Sequence, residues 1–89
     1  MFSSWGVETI RAYSVETIHG ALQALADEEQ YGVILRAKGI VAGTDGQWIH
    51  FDYVPGGVDV RFGGADVIGK LCVIGAEINE DALKTLFGV

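Results

Sequence analysis

A chain of 89 residues makes one small domain, because folding at this size buries only about 60 to 65% of the unfolded surface and leaves no material for a second core. Hydrophobic residues at 49% and charged residues at 20% exclude a disordered segment, and a net charge of −6, from 6 Lys+Arg against 12 Asp+Glu, argues against nucleic acid and anionic membrane as partners. No stretch approaches the ~20 apolar residues of a membrane span, no charged leader precedes an apolar run, and the lone Cys72 has no intramolecular partner; a reducing cytoplasm is the expected setting.

Met1-Phe2-Ser3-Ser4-Trp5 enters strand-like sequence almost at once, as a domain excised from a longer polypeptide would, so an N-terminal partner domain is expected. Residues 5 to 13, WGVETIRAY, carry the β-branched and aromatic side chains of an edge strand. Ser14 is placed to cap a helix, since its hydroxyl can accept from first-turn amides while Glu16 sits near the positive end of the dipole. Ile18, Ala21, Leu22 and Leu25 follow at helical spacing, which predicts a helix running to about Asp27 or Glu28. The acidic link Asp27-Glu28-Glu29-Gln30-Tyr31 then leads to Gly32.

From Gly32 to Phe62 the chain reads as three strands joined by two glycine turns. A three-residue loop Thr44-Asp45-Gly46, with Gly46 at positive φ, sets Gly43 opposite Gln47 and Lys38 opposite Asp52. A two-residue primed turn at Gly56-Gly57 predicts Pro55 opposite Val58, Asp52 opposite Arg61 and Phe51 opposite Phe62. Period-two alternation then sorts Val33, Leu35, Ala37, Ile49, Phe51, Tyr53, Val60 and Phe62 onto a core face. Arg36, Lys38, His50, Asp52, Asp59 and Arg61 point the other way, with Ile40 and Trp48 at one end; cross-strand ion pairing of Lys38 and Arg61 with Asp52 is expected there.

Gly63-Gly64-Ala65-Asp66 is a loop by glycine content, and Leu71 to Ala76 is a continuous apolar run of the interior-strand kind, in which Cys72 is expected to be buried. Asn79 caps a last helix with Glu80 and Asp81 in its first turn and Leu83, Leu86 and Phe87 on its inner side, and Gly88 stops it. The order strand, helix, three meandering strands, strand, helix predicts an α+β two-layer sandwich. A largely antiparallel sheet of about five strands carries two helices on one face.

Motif by motif, catalysis finds little support. Gly64-Ala65-Asp66-Val67-Ile68-Gly69-Lys70 satisfies the start of the phosphate-binding P-loop pattern, but Leu71 stands where a magnesium-ligating Ser or Thr belongs and begins a strand rather than a helix. His19, His50 and Cys72 lack ligand-like spacing, and Ser14 and Asn79 are already accounted for as caps. No enzymatic activity and no cofactor are therefore expected of this domain alone. The charged sheet face combines guanidinium, aromatic and aliphatic groups favoured at interface centres, which makes Arg36, Lys38, Trp48, His50, Asp52 and Arg61 the candidate interface.

Ile34-Leu35-Arg36-Ala37-Lys38-Gly39, Asp45-Gly46 with Trp48, Phe51-Asp52-Tyr53-Val54-Pro55-Gly56, and Cys72-Val73-Ile74-Gly75 closely resemble the C-terminal domain of CobW-type P-loop GTPases. The resemblance spans about Ser3 to Phe87. It implies a non-catalytic accessory domain of a metal chaperone or cofactor-insertion GTPase, some of which are linked to cobalamin synthesis. The family's phosphate loop and cysteine-rich metal motif belong to its GTPase half, so the Lys70 near-match is coincidence. The implied partners are the N-terminal GTPase domain, a client metalloprotein or an identical subunit. The competing reading is a free-standing small-ligand or metal-sensing module in which His50 and Asp52 bind directly.

Overall fold

The computed structural model describes the chain from Met1 to Val89. Strand β1 (Phe2–Thr9) is followed by the two-residue β2 (Ala12–Tyr13), so the strand expected over residues 5 to 13 is interrupted at Ile10-Arg11, where the Arg11 amide donates to Thr9 Oγ1 at 3.0 Å. Helix α1 (Val15–Ala24) starts as its sequence dictates, with Ser14 Oγ accepting from the Thr17 amide at 3.1 Å. Beyond Ala24 the winding tightens: the amides of Leu25, Ala26 and Asp27 bond three residues back rather than four. Asp27 then caps a second, one-turn helix α2 (Glu28–Tyr31) through the Gln30 amide, so the acidic link is itself helical.

Four further strands follow: β3 (Val33–Gly43), β4 (Trp48–Val54), β5 (Gly57–Gly63) and β6 (Gly69–Ala76). The chain closes with α3 (Glu80–Phe87), capped by Asn79 Oδ1 on the Ala82 amide at 3.1 Å and stopped by Gly88 in the left-handed conformation. The sheet runs in the order β1-β6-β3-β4-β5 with antiparallel neighbours, and β2 adds a short parallel pairing to β3 at Ala42 and Gly43. The α+β sandwich is as expected, with β1 on the edge and β6 inside.

The first hairpin has the register read from its loop: Lys38 lies opposite Asp52 and the Gly43 amide bonds the Gln47 carbonyl at 2.8 Å. At the second, the turn residues are Pro55 and Gly56 rather than Gly56 and Gly57, so Val54 pairs with Gly57, Phe51 with Val60, Asp52 with Asp59 and His50 with Arg61. Proline pre-sets the first turn position and Gly56, at φ +83°, supplies the positive φ of the second, the combination a type II turn requires. The pairing therefore differs by two residues from the expected one. An even slip leaves every side chain on its face, so Val60 and Phe62 keep their orientation, but Phe62 reaches the sheet margin and is 50% exposed.

A β-bulge between Ile34 and Arg36 corrects the other face assignment. The extra residue means that two residues oppose one on β6, and alternation restarts one position out of phase. Ile34 is buried in place of Val33 and Leu35, which are exposed, while Ala37 and Val41 face the core beyond the bulge.

The core is one cluster of 17 buried apolar residues lying between the sheet and the helices. Helix α1 covers β4 and β5, and α3 brings Phe87 between the rings of Trp5 and Phe51, each with a centroid separation of 6.4 Å. Tyr13 Oη donates to the Phe87 carbonyl at 2.6 Å, and Arg11 donates to the Gly88 carbonyl at 3.2 Å while lying over the Tyr13 ring. All three helices sit on this side, so the opposite face of the sheet carries no covering layer.

Candidate functional site

The open face is built by alternation on four strands. With Leu71 and Val73 in the core, β6 turns Lys70, Cys72 and Ile74 outward; past its bulge β3 presents Lys38 and Ile40; β4 presents Trp48, His50 and Asp52; and β5 presents Asp59 and Arg61. The strand pairings align these positions into rows, one of them Lys70, Ile40, His50 and Arg61, and the next Cys72, Lys38, Asp52 and Asp59.

Asp52 is the electrostatic centre. Its two carboxylate oxygens accept from Arg36 at 3.3 Å and from Arg61 at 3.2 Å, and Arg61 also bonds Asp59. Two carboxylates directly opposite on neighbouring strands repel, and the guanidinium bridging Asp52 and Asp59 offsets that repulsion. The same contacts, that with Asp59 foremost, hold the Arg61 proton more tightly than in a free guanidinium. The expected pairing of Lys38 with Asp52 is not made: although the two are opposite in register, the arginines reach Asp52 diagonally and Lys38 forms no ion pair.

His50 is committed locally. Its Nε2 lies 2.8 Å from the Gly64 carbonyl, which requires the proton on that nitrogen, and the ring occupies the space a side chain at residue 63 would need. No three His, Cys, Asp or Glu side chains come together as a metal-binding group.

Between these rows lies an open groove of about 490 Å³. It gathers Arg36, Lys38, His50, Asp52 and Arg61 from the sequence-derived set and leaves out Trp48, which is half-buried one row further along β4 opposite Ala42 and Gly63. The groove adds Ile40, Lys70 and Cys72. Sequence reasoning passes over Lys70 and Cys72 because β6 reads as an interior strand with both faces covered; Cys72 is in fact half-exposed on the open face. The signal lies in the alternation Lys70-Leu71-Cys72-Val73, which puts the lysine and the thiol opposite two core residues. Lys70 itself is neither in a phosphate loop nor at a helix start: it lies on β6 and reaches Asp66 at 3.6 Å.

A family model, the cobalamin synthesis protein cobW C-terminal domain, matches residues 2–88. Two solved structures share the fold. The Zn(II)-bound YjiA GTPase from E. coli is 20% identical with a TM-score of 0.74, and a Zn(II)-bound triple mutant of YjiA GTPase is 18% identical with a TM-score of 0.80. Each likeness covers 98% of this chain and 29% of the larger one. No protein with curated information matches the chain.

Proposed function

The chain belongs to the CobW C-terminal domain family, and on that premise we propose that it is a non-catalytic accessory domain of a CobW-like GTPase taking part in metal or cobalamin-cofactor delivery. Its role is to bind: the GTPase part holds and hydrolyses nucleotide, and this domain docks onto that part, onto a client metalloprotein or onto a second subunit. The observation that carries the reading is the sheet face left without a covering layer. There Arg36, Arg61 and Asp52 form a hydrogen-bonded cluster beside half-buried Trp48 and Ile40. Arginine and tryptophan are the residue types that dominate interface energetics.

The test is calorimetric titration of a separately produced CobW-type GTPase domain into this chain. Replacing Arg36, Trp48 and Arg61 together by Ala is expected to weaken binding by at least about tenfold, or about 1.4 kcal/mol. Affinity unchanged by the triple substitution rules this face out as the interface.

A further inference from the structure

The chain carries only six basic residues against twelve acidic ones, yet four of the six, Arg36, Lys38, Arg61 and Lys70, line one groove on the open face. Three of the four are engaged by Asp52, Asp59 and Asp66; Lys38 has no carboxylate partner. Beside the groove, Arg36 is paired in register with Ile74, and a smaller hollow lined by Arg36, Lys38, Cys72 and Ile74 joins the cationic centre to an apolar margin. That margin consists of Ile74, Leu35, Val33 and Phe2, which are 40%, 39%, 40% and 69% exposed and lie at the same end of β6, β3 and β1.

From this juxtaposition we propose that the groove receives an acidic segment of a protein partner in which carboxylates alternate with apolar side chains. The carboxylates meet Lys38 and the outward guanidinium edges, and an apolar neighbour packs on Ile74 and Leu35. The charge distribution chooses this occupant over a polyphosphate: outside the groove the surface is strongly acidic, so an extended nucleic-acid backbone is repelled by everything flanking its contact. A short peptide segment meets Arg36, Lys38, Arg61 and Lys70 with Asp52 as the one carboxylate lining the groove, and its apolar residues use the margin that a small inorganic anion would leave bare. The proposal rests on reading the open face as a docking surface and specifies the chemistry of what docks.

The probe is a short fluorescein-labelled peptide in which glutamate alternates with leucine, followed by fluorescence anisotropy. Saturable binding is expected, weakened about tenfold by Lys38→Glu and again by Ile74→Asp, and falling as ionic strength rises from about 0.05 to 0.5 M. Lys38→Glu sets a carboxylate opposite Asp52, so Lys38→Gln, which removes only the positive charge at an exposed position, is the control. Its thermal melt should superimpose on that of the parent chain, and its peptide binding should weaken in the same direction. Absence of binding, equal binding of a peptide with lysine in place of glutamate, or equal affinity in the Lys38→Glu variant overturns the proposal. So does full displacement by millimolar inorganic phosphate, which marks a small-anion site instead. A GTPase domain that binds the open face without competing with the peptide overturns the acidic-segment inference and leaves the docking reading standing. Peptide binding with no GTPase-domain binding leaves the acidic-segment inference standing and overturns only the GTPase domain as the partner that docks there.

Discussion

Tyr13 joins the last turn of α3 to the short β2: its hydroxyl donates to the Phe87 carbonyl, one of the end-of-helix acceptors that has no partner within the helix. Because the ring is buried, Tyr13→Phe is expected to cost about 1 to 2 kcal/mol in urea unfolding, the loss of a buried hydrogen bond together with an unsatisfied carbonyl. Burial raises the Tyr13 phenol above its usual range, opposed in smaller part by the Arg11 cation, and burial with the Glu28 charge raises Tyr53. A raised folded value means that the unfolded chain loses its proton first. The contribution is therefore complete below the ordinary phenol value near 10 and is lost as pH rises through the folded values. Unfolding free energies compared at about pH 8 and pH 11 should show this decline, shallower in Tyr13→Phe. Gly39 offers a second residue-scale test. A Cβ there would collide with the Lys70 carbonyl and the Phe51 ring, so Gly39→Ala is expected to lower stability by about 1 to 3 kcal/mol, read as a reduced melting temperature.

At the scale of elements, the termini of the helices follow local chemistry. Asn79 accepts from the Ala82 amide at the start of α3, and Asn79→Ala should cost about 1 kcal/mol, with Asn79→Asp close to neutral; paired thermal melts distinguish a cap from a general effect of the site. Strand β3 obeys a less local rule. Its apolar residues Val33, Ile34 and Leu35 are contiguous, and nothing in them states which of the three faces inward; the bulge against β6 selects Ile34. The same holds at Pro55-Gly56-Gly57, where glycine is available at two positions. The proline fixes the turn one step earlier than a glycine pair suggests, because it cannot adopt positive φ itself but suits the position before a residue that does.

Across the whole molecule the sheet separates a buried apolar face from an open charged one. Its inner face holds the entire buried core, so Leu22→Ala or Phe51→Ala, which open a cavity where no solvent reaches, should cost about 2 to 5 kcal/mol and shift the chemical-denaturation midpoint accordingly. Lys38→Gln on the outer face, which removes a charge without adding one opposite Asp52, should change stability by no more than about 0.5 kcal/mol while weakening the binding of acidic peptides. Exposed ion pairs contribute little to folding, so the Arg36-Asp52-Arg61 cluster is better understood as orienting guanidinium groups on a surface than as holding the sheet together.

The sequence by itself determined the elements whose causes are local: the caps at Ser14 and Asn79, the stop at Gly88, the first hairpin with its loop ending at Gly46, and the even-odd sorting of β4 into core and open face. These depend on residues a few positions apart, within reach of periodicity and turn chemistry. Tertiary structure alone decided that β6 inserts between β1 and β3, since strand order is set by which apolar faces share one core rather than by any short motif. That insertion brings Lys70 and Cys72 beside Lys38 and Asp52 and sets Ile74 against Arg36, turning a charged strand face into a groove with an apolar margin. The groove joins β3 to β6, far apart in the chain, through lateral strand pairing, and alternation within each strand says nothing about its neighbour.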